Sequence, residues 1–172
     1  KIIYRLKTTV EGNPAIPNFA LEQNQFLANR YPERISFEYD GIAYRNFETA
    51  YQSQKMEKEA DRRKAAGMYP EEAKVFARGR MLRKNWETPL AENAPRPSKL
   101  CECLKDVVMY DLLWIKFHDN PELRDLLIAT GDAVINKENT DYEIYWGTCK
   151  GVGKGKIGKM LMEIRSRLAG KV

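Results

Sequence analysis

With 172 residues, 43% of them hydrophobic and 31% charged, the chain has a globular composition and enough length to bury a core. It holds no apolar run of the roughly 18 to 20 residues that cross a bilayer, which excludes a helical membrane protein, and no signal-peptide pattern opens it. The net charge of +5 biases it toward anionic partners, but the basic residues are scattered among acids rather than gathered into a nucleic-acid-binding run.

In chain order, "KIIYRLKTTV" reads as a strand and "EGNPAIPN" as a loop. From Ile35, "ISFEYDGIAY" alternates about Asp40-Gly41, a strong hairpin signal. Asn46 is placed to cap a helix over "FETAYQSQKMEKEA", with Phe47, Ala50, Tyr51 and Gln54 on one face. A second helix follows over "PEEAKVFARGR", starting at Pro70. "TPLAENAPRPSK" is a proline-punctuated loop. Leu100, Leu104, Val107, Val108, Leu112 and Ile115 form the apolar stripe of a core helix. Asn120 and Pro121 look like the N-cap and first position of a helix over 121–129. "AVINK" is a short strand, and the last helix buries Ile157, Met160, Leu161, Ile164 and Leu168. The pattern is that of a helix-dominated, single-domain α+β fold with a small β-sheet. No repeat and no composition break marks a second domain.

The first residue is Lys1 rather than methionine, so the natural N-terminus is expected to lie upstream. Cys101, Cys103 and Cys149 are odd in number, and two share a predicted helix, which argues for a reducing compartment rather than a disulfide framework. A cytoplasmic location is therefore expected. The C-x-C pair and the single histidine, His118, fall short of a four-ligand zinc site, and His118 reads as a surface residue flanking a helix. Neither a metal nor any other cofactor is expected.

Near the end, "GVGKGKIGKM" satisfies two phosphate-loop patterns in part. Gly153, Gly155 and Gly158 fit G-x-G-x-x-G, and Gly153, Gly158 and Lys159 fit most of G-x-x-x-x-G-K-[ST], with Met160 in place of the magnesium-binding hydroxyl. The few residues after Gly158 leave no room for the second strand and acidic residue that the dinucleotide fold requires. A glycine loop opening a helix can still hold an anion on its backbone N–H groups without either nucleotide fold.

Glu48 is the chemically suggestive residue of the first helix. A carboxylate in the first turn interacts favourably with the helix dipole, and Gln52 and Lys55 follow on the same flank. That placement suits either an ordinary surface glutamate or a general base that stabilises a developing cation. Trp86 and Trp146 lie outside the helical stripes among basic, glycine or asparagine residues, as core residues or as stacking platforms at a pocket rim, whereas Trp114 lies inside the long helix and is assigned to packing.

The segments "FLANRYP", "DGIAYRNFETAYQSQK", "ARGR", "LRKNWE", "ELRDLLIATGDA", "YWG" and "GKGKIGKMLMEIR" occur in the order seen in the NADAR family, the YbiA-like N-glycosidases. The resemblance runs from about Phe26 to Leu168, so residues 26–172 are expected to form the family domain and 1–25 an N-terminal extension packed on it or leading into it. It implies hydrolysis of a ribose C1′–N bond in a phosphorylated substrate, either ADP-ribosylated guanine in nucleic acid or a phosphoribosylamino-pyrimidine. The alternative is a catalytically silent sensor of ADP-ribose or a nucleotide. The partners implied are thus a phosphorylated ribosyl small molecule or ADP-ribosylated nucleic acid, and no membrane.

The family's helix glutamate falls on Glu48, its asparagine on Asn29, its R-x-x-W on Arg83 and Trp86, and its W-G on Trp146 and Gly147. Arg30, Tyr51, Gln52 and Lys55 complete the expected binding set, with Lys154 and Lys156 on the phosphate side and Glu143 or Asp141 assisting the leaving nitrogen. The chain departs from the family at Ala28 and Arg30, at Thr49 where a histidine is usual, and at Glu143 where an aspartate is usual. Those changes point to an altered substrate, or to lost catalysis.

Overall fold

The computed structural model describes residues 8–10 and 13–171. The strands are β1 (Thr8–Val10), β2 (Asn13–Ile16), β3 (Phe37–Tyr39), β4 (Ile42–Tyr44) and β5 (Val134–Ile135). The α-helices are α1 (Phe47–Gln54), α2 (Glu59–Ala65), α3 (Pro70–Ala77), α4 (Leu104–His118), α5 (Pro121–Ala129) and α6 (Lys156–Leu168), with a 3-10 helix over Glu22–Leu27. This is the helix-rich α+β class that the sequence pattern implies. The described residues sort into two compact units, Asn29–Leu112 and the remainder of the chain, with the division falling inside α4.

In the Asn29–Leu112 unit, β3 and β4 pair antiparallel about Asp40-Gly41, with Tyr39 opposite Ile42. Both turn residues have positive φ, 53° and 68°, which matches the right-handed twist of the flanking strands. Phe37 stacks on Phe47 at 4.2 Å, so the hairpin covers the start of α1. Sequence periodicity continues α1 to Ala60, but the helix stops at Gln54. There the chain pairs with a distant segment instead: Met56 bridges Leu82, the Glu57 N–H donates to the Met81 carbonyl, and Arg83 N–H to that of Lys55. Fully buried Met56 then joins Ala65, Ala73 and Ala77 in a core shared with α2 and α3. Tertiary pairing outweighs local helix propensity at this point.

The inner face of α1 carries polar residues that satisfy one another. Arg83 donates to Gln54 Oε1 at 2.5 Å, Gln54 Nε2 donates to the Tyr44 hydroxyl at 3.0 Å, and the Ser53 hydroxyl, 2.8 Å from that of Tyr44, donates to the Arg62 carbonyl. A directed chain of this kind offsets the cost of burying the Gln54 amide and the Tyr44 and Ser53 hydroxyls.

In the other unit, β2 pairs antiparallel with β1 and parallel with β5. Residues 13–16, expected as loop, are therefore a strand. Pro14 disguises it, since proline cannot donate to a ladder, but the parallel pairing uses Ala15 and Ile16 beyond it. The expected strand over 1–10 is observed for Thr8–Val10, and residues 1–7 lie outside the described residues.

Helix α4 starts at Leu104, so Leu100 precedes it, and its buried residues include Val108, Met109, Leu112, Leu113 and Phe117. Asn120 stands at the N-cap position of α5, but its side chain donates backward to the Lys116 carbonyl at 2.8 Å and so finishes α4 instead. Lys116 is itself fully buried, with Nζ on the Ala28 carbonyl at 2.7 Å, and burial pushes its pKa well down. Trp114 stacks on His118, and Arg167 lies over its indole at 4.4 Å.

The glycine-lysine loop is built as an interlock. The Glu143 carboxylate accepts the N–H groups of Tyr145, Trp146 and Gly147 at 3.0, 2.9 and 2.9 Å. The turn so fixed points its carbonyls at the start of α6: Lys154 N–H donates to Ile144, Gly155 to Gly147, Lys156 to Tyr145 and Ile157 to Trp146. Two glycines make this possible by their size: a Cβ on Gly147 would lie 2.2 Å from the Lys137 carbonyl oxygen, and one on Gly158 would lie 2.1 Å from that of Ile135. The first lets the turn close on the chain before it, and the second lets α6 lie against β5.

Two outcomes are expected. Gly158→Ala sets a side chain against rigid backbone and should lower stability by about 2 kcal/mol or more, whereas Gly67→Ala, with nothing within 4 Å of its Cβ, should change it by less than about 1 kcal/mol; thermal or urea denaturation reads both. Glu143→Gln should speed hydrogen exchange at the amides of Tyr145, Trp146 and Gly147, because a single amide oxygen replaces two charged acceptors. Unaltered protection there would remove Glu143 from this role.

Candidate active site

Asn46 sets the site. Its Oδ1 accepts from Glu48 N at 2.8 Å and Thr49 N at 3.2 Å, capping α1, while its Nδ2 donates to the Arg30 and Glu33 carbonyls at 3.1 and 3.2 Å. One side chain therefore fixes both the first turn of α1 and the segment after Asn29. Glu48 follows the cap, half-buried, and its Oε1 accepts from Gln52 Nε2 at 2.7 Å, one helical turn on.

Lys55 closes the same flank, with Nζ over the Tyr51 ring at 5.1 Å. Burial pushes its pKa down, the Glu48 and Glu87 carboxylates oppose that shift, and Lys74 and Lys105 add to it. Glu87, Lys74 and Lys105 are charged neighbours that sequence spacing does not reveal. They come from three separate segments, and only the fold gathers them.

Two buried acceptors in this unit have no hydrogen-bond partner among the described residues: Gln52 Oε1 and Asn29 Oδ1. Asn29 Nδ2 rests on Met109 Sδ at 3.1 Å. In a finished core such groups are paired, so Gln52 on α1 presents unmet hydrogen-bonding capacity beside the Glu48 carboxylate.

Other expected members of the set have different employment. Trp86 is 3% exposed and packs against Tyr51 at 5.6 Å. It is a core residue that supports Tyr51 rather than an open stacking platform, because a buried indole presents no free face. Arg83 ends the buried chain at Gln54 and lies 3.7 Å from Asp40. Arg30 is an exposed partner of Glu71. Thr49 is 1% exposed and its hydroxyl donates inward to the Met68 carbonyl at 3.1 Å.

In the other unit, Glu143 is the centre of the turn described above. With its carboxylate engaged by backbone N–H groups, it is a loop-organising residue rather than a proton donor to a leaving group. Asp141 is exposed beside Asn139 and Glu138. Trp146 is half-buried, edge-on to Tyr145 at 5.0 Å, and Gly147 is buried under Lys137. The N–H groups of residues 154–157 are taken by carbonyls, so an anion site on this stretch of backbone is ruled out. What remains is side-chain charge: Lys154, exposed, and Lys156, buried, place their ammonium groups 5.1 and 5.4 Å from the Tyr145 ring centre.

Among the described residues, no group of three or more His, Cys, Asp or Glu is placed to hold a metal ion, and no helix is long and apolar enough to cross a membrane.

Comparison with known proteins identifies the family and the fold. The chain is 39% identical over 93 residues to N-glycosidase YbiA of Escherichia coli (strain K12), an alignment covering 54% of this chain and 48% of that protein. It is 28% identical over 110 residues to the riboflavin biosynthesis protein PYRR, chloroplastic, of Zea mays, covering 60% of this chain and 15% of that one. The chain thus spans about half the length of the YbiA sequences it matches. The NMR structure of E. coli YbiA superposes with a TM-score of 0.72 at 28% identity, over 97% of this chain and 91% of that one. The NADAR domain model matches residues 16–169, nearly the full length, and the chain belongs to the NADAR domain family.

Proposed function

We propose that this protein is a hydrolase of N-glycosidic bonds, acting between ribose C1′ and a nitrogen in a phosphorylated ribosyl substrate. The observation that carries the reading is Glu48, half-buried at the start of α1 and steered by Gln52 at 2.7 Å, whose own Oε1 is buried with no partner among the described residues. The name of one relative, an N-glycosidase, supports the reaction class.

In the reaction the C1′–N bond breaks, and its electron pair leaves on the nitrogen. Positive charge then spreads over C1′ and the ring oxygen, where a fixed carboxylate at hydrogen-bonding range stabilises it. Water adds to C1′ and gives a proton to Glu48, which passes it on to the departing nitrogen, so the sum is a C1′–OH and an N–H. A carboxylate serves as cation stabiliser and then as base. Its hold by Gln52 fixes one oxygen and leaves the other to face the sugar.

Two departures from the family suggest a silent sensor, but each has another use here. Thr49 bonds inward to Met68, and Glu143 organises the turn before α6. Neither bears on Glu48, so hydrolysis is the preferred reading. The substrates proposed are ADP-ribosylated guanine in nucleic acid and phosphoribosylamino-pyrimidines.

Incubation with each substrate should release free ribosyl product from at least one of them. Glu48→Gln should lower kcat by about a hundredfold or more and leave ligand affinity nearly unchanged, as removal of a charge acting mainly in the transition state requires. Near-normal turnover in a folded Glu48→Gln protein defeats the assignment.

A further inference from the structure

The amide of Gln52 has one end employed and one end idle. A carboxylate only accepts, so the end facing Glu48 Oε1 at 2.7 Å must be the NH2 group. This fixes the orientation of the amide by chemistry: Oε1 is the other end. That oxygen is buried, in a residue 5% exposed, and has no partner among the described residues. A buried acceptor left unmet costs free energy, and one maintained beside a reactive carboxylate is met by something that comes and goes.

The position of this oxygen limits the donor. It lies one amide width and one hydrogen bond from Glu48 Oε1, and under the reading above the other oxygen of the same carboxylate faces C1′. On a ribosyl group, the donor adjacent to C1′ is the 2′-hydroxyl. We infer that Gln52 is a substrate-contacting specificity residue: its NH2 holds Glu48 while its Oε1 accepts the 2′-hydroxyl, so that the site selects ribose over 2′-deoxyribose. The inference rests on the proposed ribosyl chemistry and adds the group that discriminates the sugar. A site built to accept a hydroxyl rejects the analogue lacking it, because that analogue leaves the buried oxygen unpaired. The same arrangement couples recognition to catalysis, since a hydroxyl seated on Gln52 also stiffens the amide that aims Glu48.

Binding tests this better than turnover, because 2′-deoxyribosyl bonds break more readily on their own account. Calorimetric titration of the intact protein with ribose 5-phosphate and with 2-deoxyribose 5-phosphate should show about a tenfold or greater preference for the former. In Gln52→Met, similar in length and lacking both polar ends, that ratio should fall to near one, with circular dichroism confirming the fold. Equal affinity of the wild-type protein for the two sugars overturns the inference, needs no variant, and leaves the N-glycosidase reading intact; Gln52 Oε1 then holds only water. A preference that survives in Gln52→Met overturns it too, since another group must supply the discrimination. Failure of either sugar to bind at millimolar concentration overturns both readings. A ribose preference lost in Gln52→Met, in a protein that hydrolyses none of the substrates above, upholds the sugar contact and removes the proposed reaction.

Discussion

The arrangement of the Asn29–Leu112 unit depends on the Asn46 side chain. Its oxygen closes the N-terminus of α1, and its nitrogen fastens the Arg30–Glu33 backbone to that same point. An N-cap is worth on the order of 1 kcal/mol as a local interaction. Here it acts at longer range, because Glu48 stands in the turn it creates and Asn29 adjoins the segment it holds. Aspartate would also cap the helix but has no donor, and serine has one short O–H where the Asn46 amide donates to two carbonyls. Asparagine alone among the usual caps has a donor and an acceptor on one rigid amide.

Much of this was legible in the chain because it is local. The Asp40-Gly41 turn, the Asn46 cap, the Pro70 start of α3 and the apolar spacing of α6 are all written within a few residues, and all appear as read except that Leu168 is half-buried rather than buried. The helix-rich α+β class and the family follow from the same short motifs. What the sequence concealed is non-local. The end of α1 is decided by Leu82 and Met81, far along the chain, and β2 by its pairing with Val134 and Ile135. The polar inner face of α1 could not be judged without Tyr44 and Arg83, since a row of Gln and Ser residues reads as solvent-facing until its partners are known.

The glycine-lysine loop shows how the same residue types can serve an opposite end. Text patterns that place glycines before a helix suggest an open cradle of N–H groups. The N–H groups of residues 154–157 donate to the 144–147 turn instead, and that turn is held by Glu143. Gly158 is small because β5 lies against it, and Gly147 because Lys137 does. Spacing alone cannot separate a glycine that makes room for a phosphate from one that makes room for a carbonyl, because both need the absence of a Cβ. The distinction lies in where the neighbouring carbonyls point, which the sequence leaves open until the fold is known.

The candidate site is therefore best recognised by unfinished hydrogen bonding. Thr49 and Glu143 carry polar groups at positions the family motif covers, yet each is engaged by protein, and Nη1 of Arg83 is held by Gln54. Gln52 and Asn29 are the reverse: both are buried, each with an acceptor that no described residue meets. A chain that completes the network at Gln54 and leaves it open at Gln52, two residues away on the same helix, separates structural from functional polarity within one turn. Maintaining that open acceptor costs stability, since an unmet buried oxygen forfeits its hydration. The cost is recovered only in a bound state, so stability and recognition pull in opposite directions at this position.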